Sequence, residues 1–175
     1  MRVNFQRVLT LKNKTVFTGK LRKGSQRLYI QLNSKQFGTM NYLDEIKIKG
    51  QEANPFFVLM DINVVSFGHG KAELSMEVRP DMQNGVGWLQ GGIYAALCDE
   101  AMALALYTVL DKDESIATIS ETTTYLQGVR KGRIKAKAQV TKKGRQVAFT
   151  EGYLTDDLGE KILSKTNASF AVIRK

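Results

Sequence analysis

The sequence feature that most constrains the fold is a run over residues 91–110, rich in Ala, Leu and Met, with no Pro and no Gly after Gly92. Such a run predicts a helix of about five turns. It is apolar on nearly every side, yet Asp99 and Glu100 lie at its centre. Because each acid at the centre of a membrane would cost about 2.5–3.5 kcal/mol, we expect a helix buried inside a packed fold.

Alternating segments on both sides of this helix predict strands with one buried face. Apolar residues alternate with polar ones over residues 72–78 and 133–141. A β-branched run predicts a strand over 116–126, and turn sequences at 143–144 and 156–159 separate further strands over 145–155 and 161–173. We also predict a short helix over 42–52 and a strand over 56–67. One helix among six half-buried strands predicts an α+β fold, in which a curved antiparallel sheet wraps around one long central helix.

The charge of the chain is unevenly distributed. Residues 1–39 contain nine basic side chains and no acidic one, so they carry the whole net charge of +9. We therefore divide the chain into a basic, strand-rich extension (1–39, with strands over 7–12, 15–21 and 27–32) and a neutral body (40–175). Two interpretations of the extension stay open. It is an arm that binds nucleic acid, or an upstream stretch translated from a misassigned start, since Met40 stands where the body begins.

Composition excludes several classes of protein. The chain has one cysteine, Cys98, and one histidine, His69, which argues against disulfides, a multi-cysteine zinc site, a catalytic triad and a His-ligated metal. Basic residues interrupt every apolar stretch near the N-terminus that could be a secretory signal. We expect a cytoplasmic protein with no metal, no redox cofactor and no association with membranes.

A glycine pair opens the predicted helix and suggests acyl chemistry. The N–H groups of a helix's first turn have no intrahelical partner and attract negative charge, so the Gly91 N–H is a candidate donor to the oxyanion of an acyl transition state. Asp99 follows eight residues later, and we expect it to act as a base on the same acyl centre or on a water beside it. Glu100 is the competing acid, but it points about 100° away from Asp99 on a helix.

The residues around the pair follow a recognisable motif, Asn-x-x-Gly-x-x-His-Gly-Gly with an acid eight residues past the first glycine of the pair. The motif positions are Asn84, Gly87, Gln90, Gly91, Gly92 and Asp99. Matching positions downstream are Tyr125, Gly132, Gly144, Arg145, Gly159 and Phe170. Over about residues 42–173 the sequence thus resembles the hotdog-fold thioesterases of the phenylacetate-degradation (PaaI-like) type, and the resemblance implies the hotdog fold.

The resemblance also implies an activity, the hydrolysis of an acyl-CoA thioester to a free acid and coenzyme A. Asp99 matches the catalytic carboxylate, as general base or nucleophile, and Gly91 matches the oxyanion-hole amide. Asn84 matches a polar residue near the thioester, and Thr118 falls where a hydroxyl helps to place the lytic water. No cofactor is implied beyond the coenzyme A of the substrate.

Further residues are implied to bind the substrate, namely Gly92, Trp88, Arg130, Lys131 and Arg133. The three basic residues suit the phosphates of coenzyme A. Gln90 stands where the family has histidine, and it can form hydrogen bonds but cannot titrate near neutrality. If that histidine mainly positions the loop, Gln90 can replace it; if its role is electrostatic, activity falls.

The resemblance implies a homodimer, because in this family the donor loop and the acid come from different protomers; a homotetramer, as a dimer of dimers, stays open. A different class of function is an acyl-CoA-responsive regulator, a non-catalytic hotdog protein whose basic arm binds nucleic acid. Asp99 favours the enzyme, whereas the lost histidine and the basic extension favour the regulator.

Overall fold

The computed structural model describes residues 5–11, 14–19, 29–31 and 41–174, and the chain divides into two compact units, Met1–Met40 and Asn41–Lys175. In the first unit, strands β1 (Phe5–Leu11), β2 (Lys14–Gly19) and β3 (Tyr29–Gln31) form an antiparallel sheet in that order. The three strands predicted for the extension are therefore present, with shifted ends. Seven of the nine basic residues on which the nucleic-acid hypothesis depends lie outside the described residues, so that hypothesis stays a prediction.

The second unit begins with two short helices and contains one long helix among six strands. The helices are α1 (Tyr42–Lys49), α2 (Pro55–Met60) and α3 (Gly91–Tyr107). The strands are β4 (Asn63–Gly68), β5 (Lys71–Val78), β6 (Glu114–Tyr125), β7 (Gly132–Lys143), β8 (Val147–Asp156) and β9 (Ile162–Arg174). Within the described ranges, no helix is long and apolar enough to cross a membrane.

The six strands form one antiparallel sheet in the order β4-β5-β7-β8-β9-β6, and α3 packs against one face of it. Small residues such as Ala136 and Ala148 on that face are fully buried, as are Ala101 and Ala105 of the helix, so helix and sheet approach closely. The predicted α+β hotdog architecture is confirmed. Strand β6 is an edge strand of this sheet. Its side chains on the helix-facing side therefore border α3 at the edge of the fold.

The prediction of a strand over 56–67 is wrong in its first half, where α2 stands. The Asn54 side chain accepts a hydrogen bond of 2.9 Å from the Phe56 N–H, and Pro55 occupies the first helical turn. Both are helix-starting features, and they override the β propensity of the aromatic and β-branched residues that follow. Asp61, in the left-handed conformation with φ 56°, ends the helix before β4 begins.

A buried carboxylate fixes the start of β6. Glu114 lies 2.7 Å from Lys143 Nζ and 3.3 Å from Arg174 Nη2, and it accepts a hydrogen bond of 3.0 Å from the Asp111 N–H. The hydrogen bond from Lys143 lowers the pKa of Glu114. This cluster joins β6 to β7 and β9, so the position of the inward residues further along β6 is well defined.

Candidate active site

The N-terminus of α3 presents backbone N–H groups that no side chain caps. Gln90 is the N-cap residue, with extended backbone (φ −63°, ψ 134°), and its exposed side chain makes no capping hydrogen bond. The Tyr125 hydroxyl donates to the Gly91 carbonyl at 3.2 Å, and a Cβ at Gly91 would lie 3.4 Å from the Tyr125 ring. Strand β6 thus holds the first turn of α3, whose Gly91 and Gly92 N–H groups are available as donors.

The loop before this helix is held by its own hydrogen bonds. The Asn84 side-chain oxygen accepts from the N–H groups of Val86 and Trp88, both at 3.1 Å, and the Gln90 N–H donates to the Met82 carbonyl at 2.9 Å. Asn84 therefore has a loop-holding contact, and the role implied for it near a thioester stays a prediction.

A second loop, residues 126–131, packs against the first. The Leu89 N–H donates to the Val129 carbonyl at 2.9 Å, and Gln83 Nε2 donates to the Arg130 carbonyl at 2.7 Å. The Tyr94 hydroxyl accepts from the Val129 N–H at 3.0 Å. Tyr94, one turn into α3, is a positioning residue that the motif does not mark, because its contact lies 35 residues away in sequence.

The predicted substrate-binding residues separate into two groups. Arg130 stacks on Trp88 with Cζ 4.1 Å from the ring centroid, and Gly128 lies so close that a Cβ there would be 2.9 Å from the Trp88 ring. Lys131 is exposed beside them. Arg133, by contrast, points to Glu77 on the neighbouring strand, with Nε 3.7 Å from Oε2.

Asp99 and Thr118 come together. Thr118 Oγ1 donates to Asp99 Oδ1 at 3.4 Å. Burial raises the pKa of Asp99 above its ordinary value, and the hydrogen bond from Thr118 partly opposes the shift. A carboxylate with little solvation is a stronger base than one in water, so this side chain suits proton abstraction.

Glu100 faces a different environment. Asn54 Nδ2 donates to Glu100 Oε2 at 3.2 Å and to the Tyr42 hydroxyl at 3.0 Å. These residues, together with Tyr107, border an open pocket of about 350 Å³ between α3 and residues 42–55. Burial, reinforced by the nearby charge of Asp99, raises the pKa of Glu100 to about 7.

A third carboxylate, Glu121, lies on the inward side of β6 and was not predicted from the sequence. Burial is the main cause that raises its pKa, and the charge of Asp99 adds to the shift, while a hydrogen bond from Thr123 at 3.0 Å opposes it. A β-bulge between Thr118 and Ser120 changes the register, so the alternation that starts inward at Thr118 resumes inward at Glu121 rather than at Ser120. Regular strand alternation from Thr118, without the bulge, would place Glu121 on the outer face. The sequence pattern therefore does not predict that Glu121 faces the helix.

The spacing of Gly91 and Asp99 corrects one expectation. Both belong to one continuous helix, in which eight residues rise about 12 Å. That distance is too long for the Gly91 N–H and the Asp99 carboxylate of one chain to contact the same acyl carbon.

Comparison with known proteins finds similarity between these residues and a family of enzymes. The thioesterase superfamily profile matches residues 87–162, which include Gly91, Asp99 and Thr118. A 1,4-dihydroxy-2-naphthoyl-CoA hydrolase of Listeria monocytogenes is 26% identical over 114 residues, 65% of this chain and 92% of its own. Human acyl-coenzyme A thioesterase 13 is 29% identical over 128 residues, 73% of this chain and 91% of its own.

Solved structures show the same fold. Conserved protein PA5202 from Pseudomonas aeruginosa is 26% identical, with a TM-score of 0.66 over 70% of this chain and 97% of its own. A mutant of the phenylacetic acid degradation protein PaaI from Thermus thermophilus is 24% identical, with a TM-score of 0.62 over 67% of this chain and 98% of its own. Residues 87–162 of this chain therefore match the thioesterase superfamily, the chain has the hotdog fold, and its similarities support a thioester hydrolase that resembles the PaaI-like proteins.

Proposed function

We propose that this protein hydrolyses acyl-CoA thioesters to the free acid and coenzyme A, with Asp99 and the Gly91 amide as the reacting groups. The observation that carries the proposal is the half-buried Asp99 carboxylate, hydrogen-bonded to Thr118, on a helix whose N-terminal amides are uncapped. The names of the human and Listeria relatives, an acyl-CoA thioesterase and an acyl-CoA hydrolase, support this substrate class.

In the general-base route, a water held between Asp99 and Thr118 attacks the thioester carbonyl carbon and gives its proton to the Asp99 carboxylate. The carbonyl oxygen becomes an oxyanion, which the Gly91 N–H stabilises by a hydrogen bond. The carbon–sulfur bond then breaks, and coenzyme A leaves as the thiolate. In the nucleophilic alternative, the Asp99 carboxylate attacks the carbonyl carbon, the carbon–sulfur bond breaks and coenzyme A leaves as the thiolate; water then hydrolyses the resulting anhydride to the free acid and restores the Asp99 carboxylate.

The site requires two protomers. Because about 12 Å separate Gly91 and Asp99 along one helix, we place the Asp99 of one chain opposite the Gly91 of its partner. Strand β6 offers a suitable contact, since it is an edge strand on which Ile119 is 58% exposed and Tyr125 is 54% exposed. We propose a homodimer through this edge; a dimer of dimers would leave the same site intact.

Trp88 and Arg130 are the proposed contacts for the nucleotide of coenzyme A, with Lys131 beside them. A stacked guanidinium on an indole combines a positive charge with an aromatic face. Arg133 is less suited, because Glu77 already lies 3.7 Å from it. Gly92 offers a second uncapped backbone N–H. The proposed role of Gln90 is to form a hydrogen bond with the substrate, which needs no change in its protonation.

The experiment is a screen for thiol release from short-chain, long-chain and aromatic acyl-CoAs, with the Asp99→Asn protein as the control. Hydrolysis of at least one class by the parent protein and not by the variant supports the proposal. A folded parent protein that releases no thiol from any class would exclude it. The regulator interpretation depends on the basic residues of 1–39, seven of which lie outside the described residues, and it stays a prediction.

A further inference from the structure

Two contacts bridge β6 and residues 91–99 of α3, and the β6 residues that make them, Thr118 and Tyr125, are exposed; we call the space between the two contacts the trough. At one end Thr118 Oγ1 reaches Asp99 Oδ1 at 3.4 Å, and at the other the Tyr125 hydroxyl reaches the Gly91 carbonyl at 3.2 Å. Inward side chains of β6 between these two contacts must line the trough. They are Glu121 and Thr123, so a carboxylate lies between the proposed base and the helix N-terminus.

Strand pairing shows which way these side chains point. Glu121 is opposite Ala168 and Thr123 is opposite Thr166, both of which are buried on the face that packs against α3. Directly opposed residues of an antiparallel pair share a face. Glu121 therefore faces the helix, and it is neither fully buried nor fully exposed.

The hydrogen bonds around Glu121 leave most of its carboxylate unused. Thr123 Oγ1 donates to Glu121 Oε1 at 3.0 Å and lies 3.0 Å from Thr166 Oγ1, so Thr123 accepts from Thr166. Across the described residues, no Lys, Arg or His forms an ion pair with Glu121. A carboxylate can accept about four hydrogen bonds, and here one is supplied by the protein.

We propose that Glu121 determines acyl specificity, by selecting acyl groups that carry a hydroxyl or N–H donor over plain hydrocarbon acyl groups. This inference rests on the proposed thioesterase function. A hydrocarbon in the trough would remove water from the partly buried Glu121 carboxylate and give it no new partner, which costs free energy. A donor on the acyl group would replace that water, and sites built to bind a hydroxyl reject analogues that lack it.

The acyl group fits the trough better than the pantetheine arm does. Pantetheine amides bring carbonyl oxygens that also need donors, whereas the Thr123 hydroxyl already gives its proton to Glu121 and the Thr166 hydroxyl gives its own to Thr123. The Glu121 carboxylate can still accept hydrogen bonds, whereas the hydroxyls of Thr123 and Thr166 have no proton left to donate. The trough therefore suits a group that donates a hydrogen bond.

The test compares kcat/KM for two matched pairs, 4-hydroxybenzoyl-CoA with benzoyl-CoA and 3-hydroxydecanoyl-CoA with decanoyl-CoA. We expect the parent protein to prefer the hydroxylated member of at least one pair by about tenfold or more. Glu121→Leu should abolish that preference by slowing the hydroxylated substrate, and Glu121→Gln, which keeps an acceptor, should retain part of it. Glu160→Leu, at an exposed position in the β8–β9 turn, is the control and should leave the ratio unchanged.

The outcomes separate this inference from the proposed function. If the parent protein hydrolyses both members of each pair equally well, the specificity role is wrong and the thioesterase function stands. The same conclusion follows if Glu121→Leu slows both members equally, because that result indicates a contact with pantetheine. If the parent protein hydrolyses no acyl-CoA at all, both proposals fail. If Glu121→Leu does not fold, the parent ratio and the Glu121→Gln ratio decide.

Discussion

Thr118 Oγ1 lies 3.4 Å from Asp99 Oδ1 and donates a hydrogen bond to it across 19 residues of sequence. The neighbouring acid, Glu100, instead accepts its hydrogen bond from Asn54, on the side of α3 that faces α1. The two adjacent carboxylates thus have separate surroundings. This difference supports the proposed role of Asp99, because Asp99, unlike Glu100, is hydrogen-bonded to β6.

Substitution of Asp99 tests that assignment directly. We expect Asp99→Asn to lower kcat for acyl-CoA hydrolysis by about a hundredfold or more, since general-base catalysis contributes at least that much. Glu100→Gln is the matched control and should change kcat far less. Circular dichroism of both variants checks that the fold is retained. A fully active Asp99→Asn protein beside an inactive Glu100→Gln protein would transfer the role to Glu100.

The proposed oxyanion donor, the Gly91 N–H, can be removed without breaking the helix. Gly91 is the first residue of α3 and follows an extended Gln90, a position that favours proline. Gly91→Pro deletes the N–H, and we expect kcat to fall about 100- to 1,000-fold. Gly91→Ala keeps the N–H and adds a Cβ near Tyr125, so it controls for bulk. Equal losses in the two variants would mean that packing, and not the donor, matters at this position.

The glycine pair and the acid could be located from sequence because both belong to one long, uninterrupted helix. The strands on either side of it also follow simple alternation. Two features could not be predicted in this way. The helix α2 depends on an Asn54 cap that competes with strand-forming residues, and the inward position of Glu121 depends on a β-bulge. Both require the three-dimensional arrangement, as does the bond between Tyr94 and the 126–131 loop.

Glu100 makes stability depend on pH. Its pKa is about 7 in the folded protein against an ordinary 4.5, so the folded state binds this proton more tightly than the unfolded state does. The free energy of unfolding should therefore fall as pH rises through the window from about 4.5 to 7, by at most about 3 kcal/mol from this group. Urea unfolding at fixed protein concentration measures it. We expect Glu100→Gln to lose less stability than the parent protein across this window, and parallel curves would contradict the assignment.

Arg130 should contribute to recognition of the nucleotide part of the substrate. We expect Arg130→Ala to raise KM for an acyl-CoA by about tenfold, the effect of losing one charge-assisted contact. The same acyl group on pantetheine, which lacks the nucleotide, should show no change in KM. Arg133→Ala is the matched control, because Arg133 is paired with Glu77. A parallel rise in KM for both substrates would indicate that Arg130 acts only by holding the Trp88 loop.

A mixture of two inactive variants tests whether each site is built from two chains. Asp99→Asn keeps the Gly91 donor, and Gly91→Pro keeps the Asp99 base. If the base of one protomer faces the donor of its partner, a heterodimer of the two variants contains one complete site and one site that lacks both groups. Co-refolding of equal amounts should then restore about a quarter of the parent activity, because half of the dimers are heterodimers and each has one of two sites intact. If base and donor come from the same chain, every site in the mixture lacks one group, and activity stays at the level of the separate variants. Since about 12 Å of helix separate the two residues within a chain, we expect restoration.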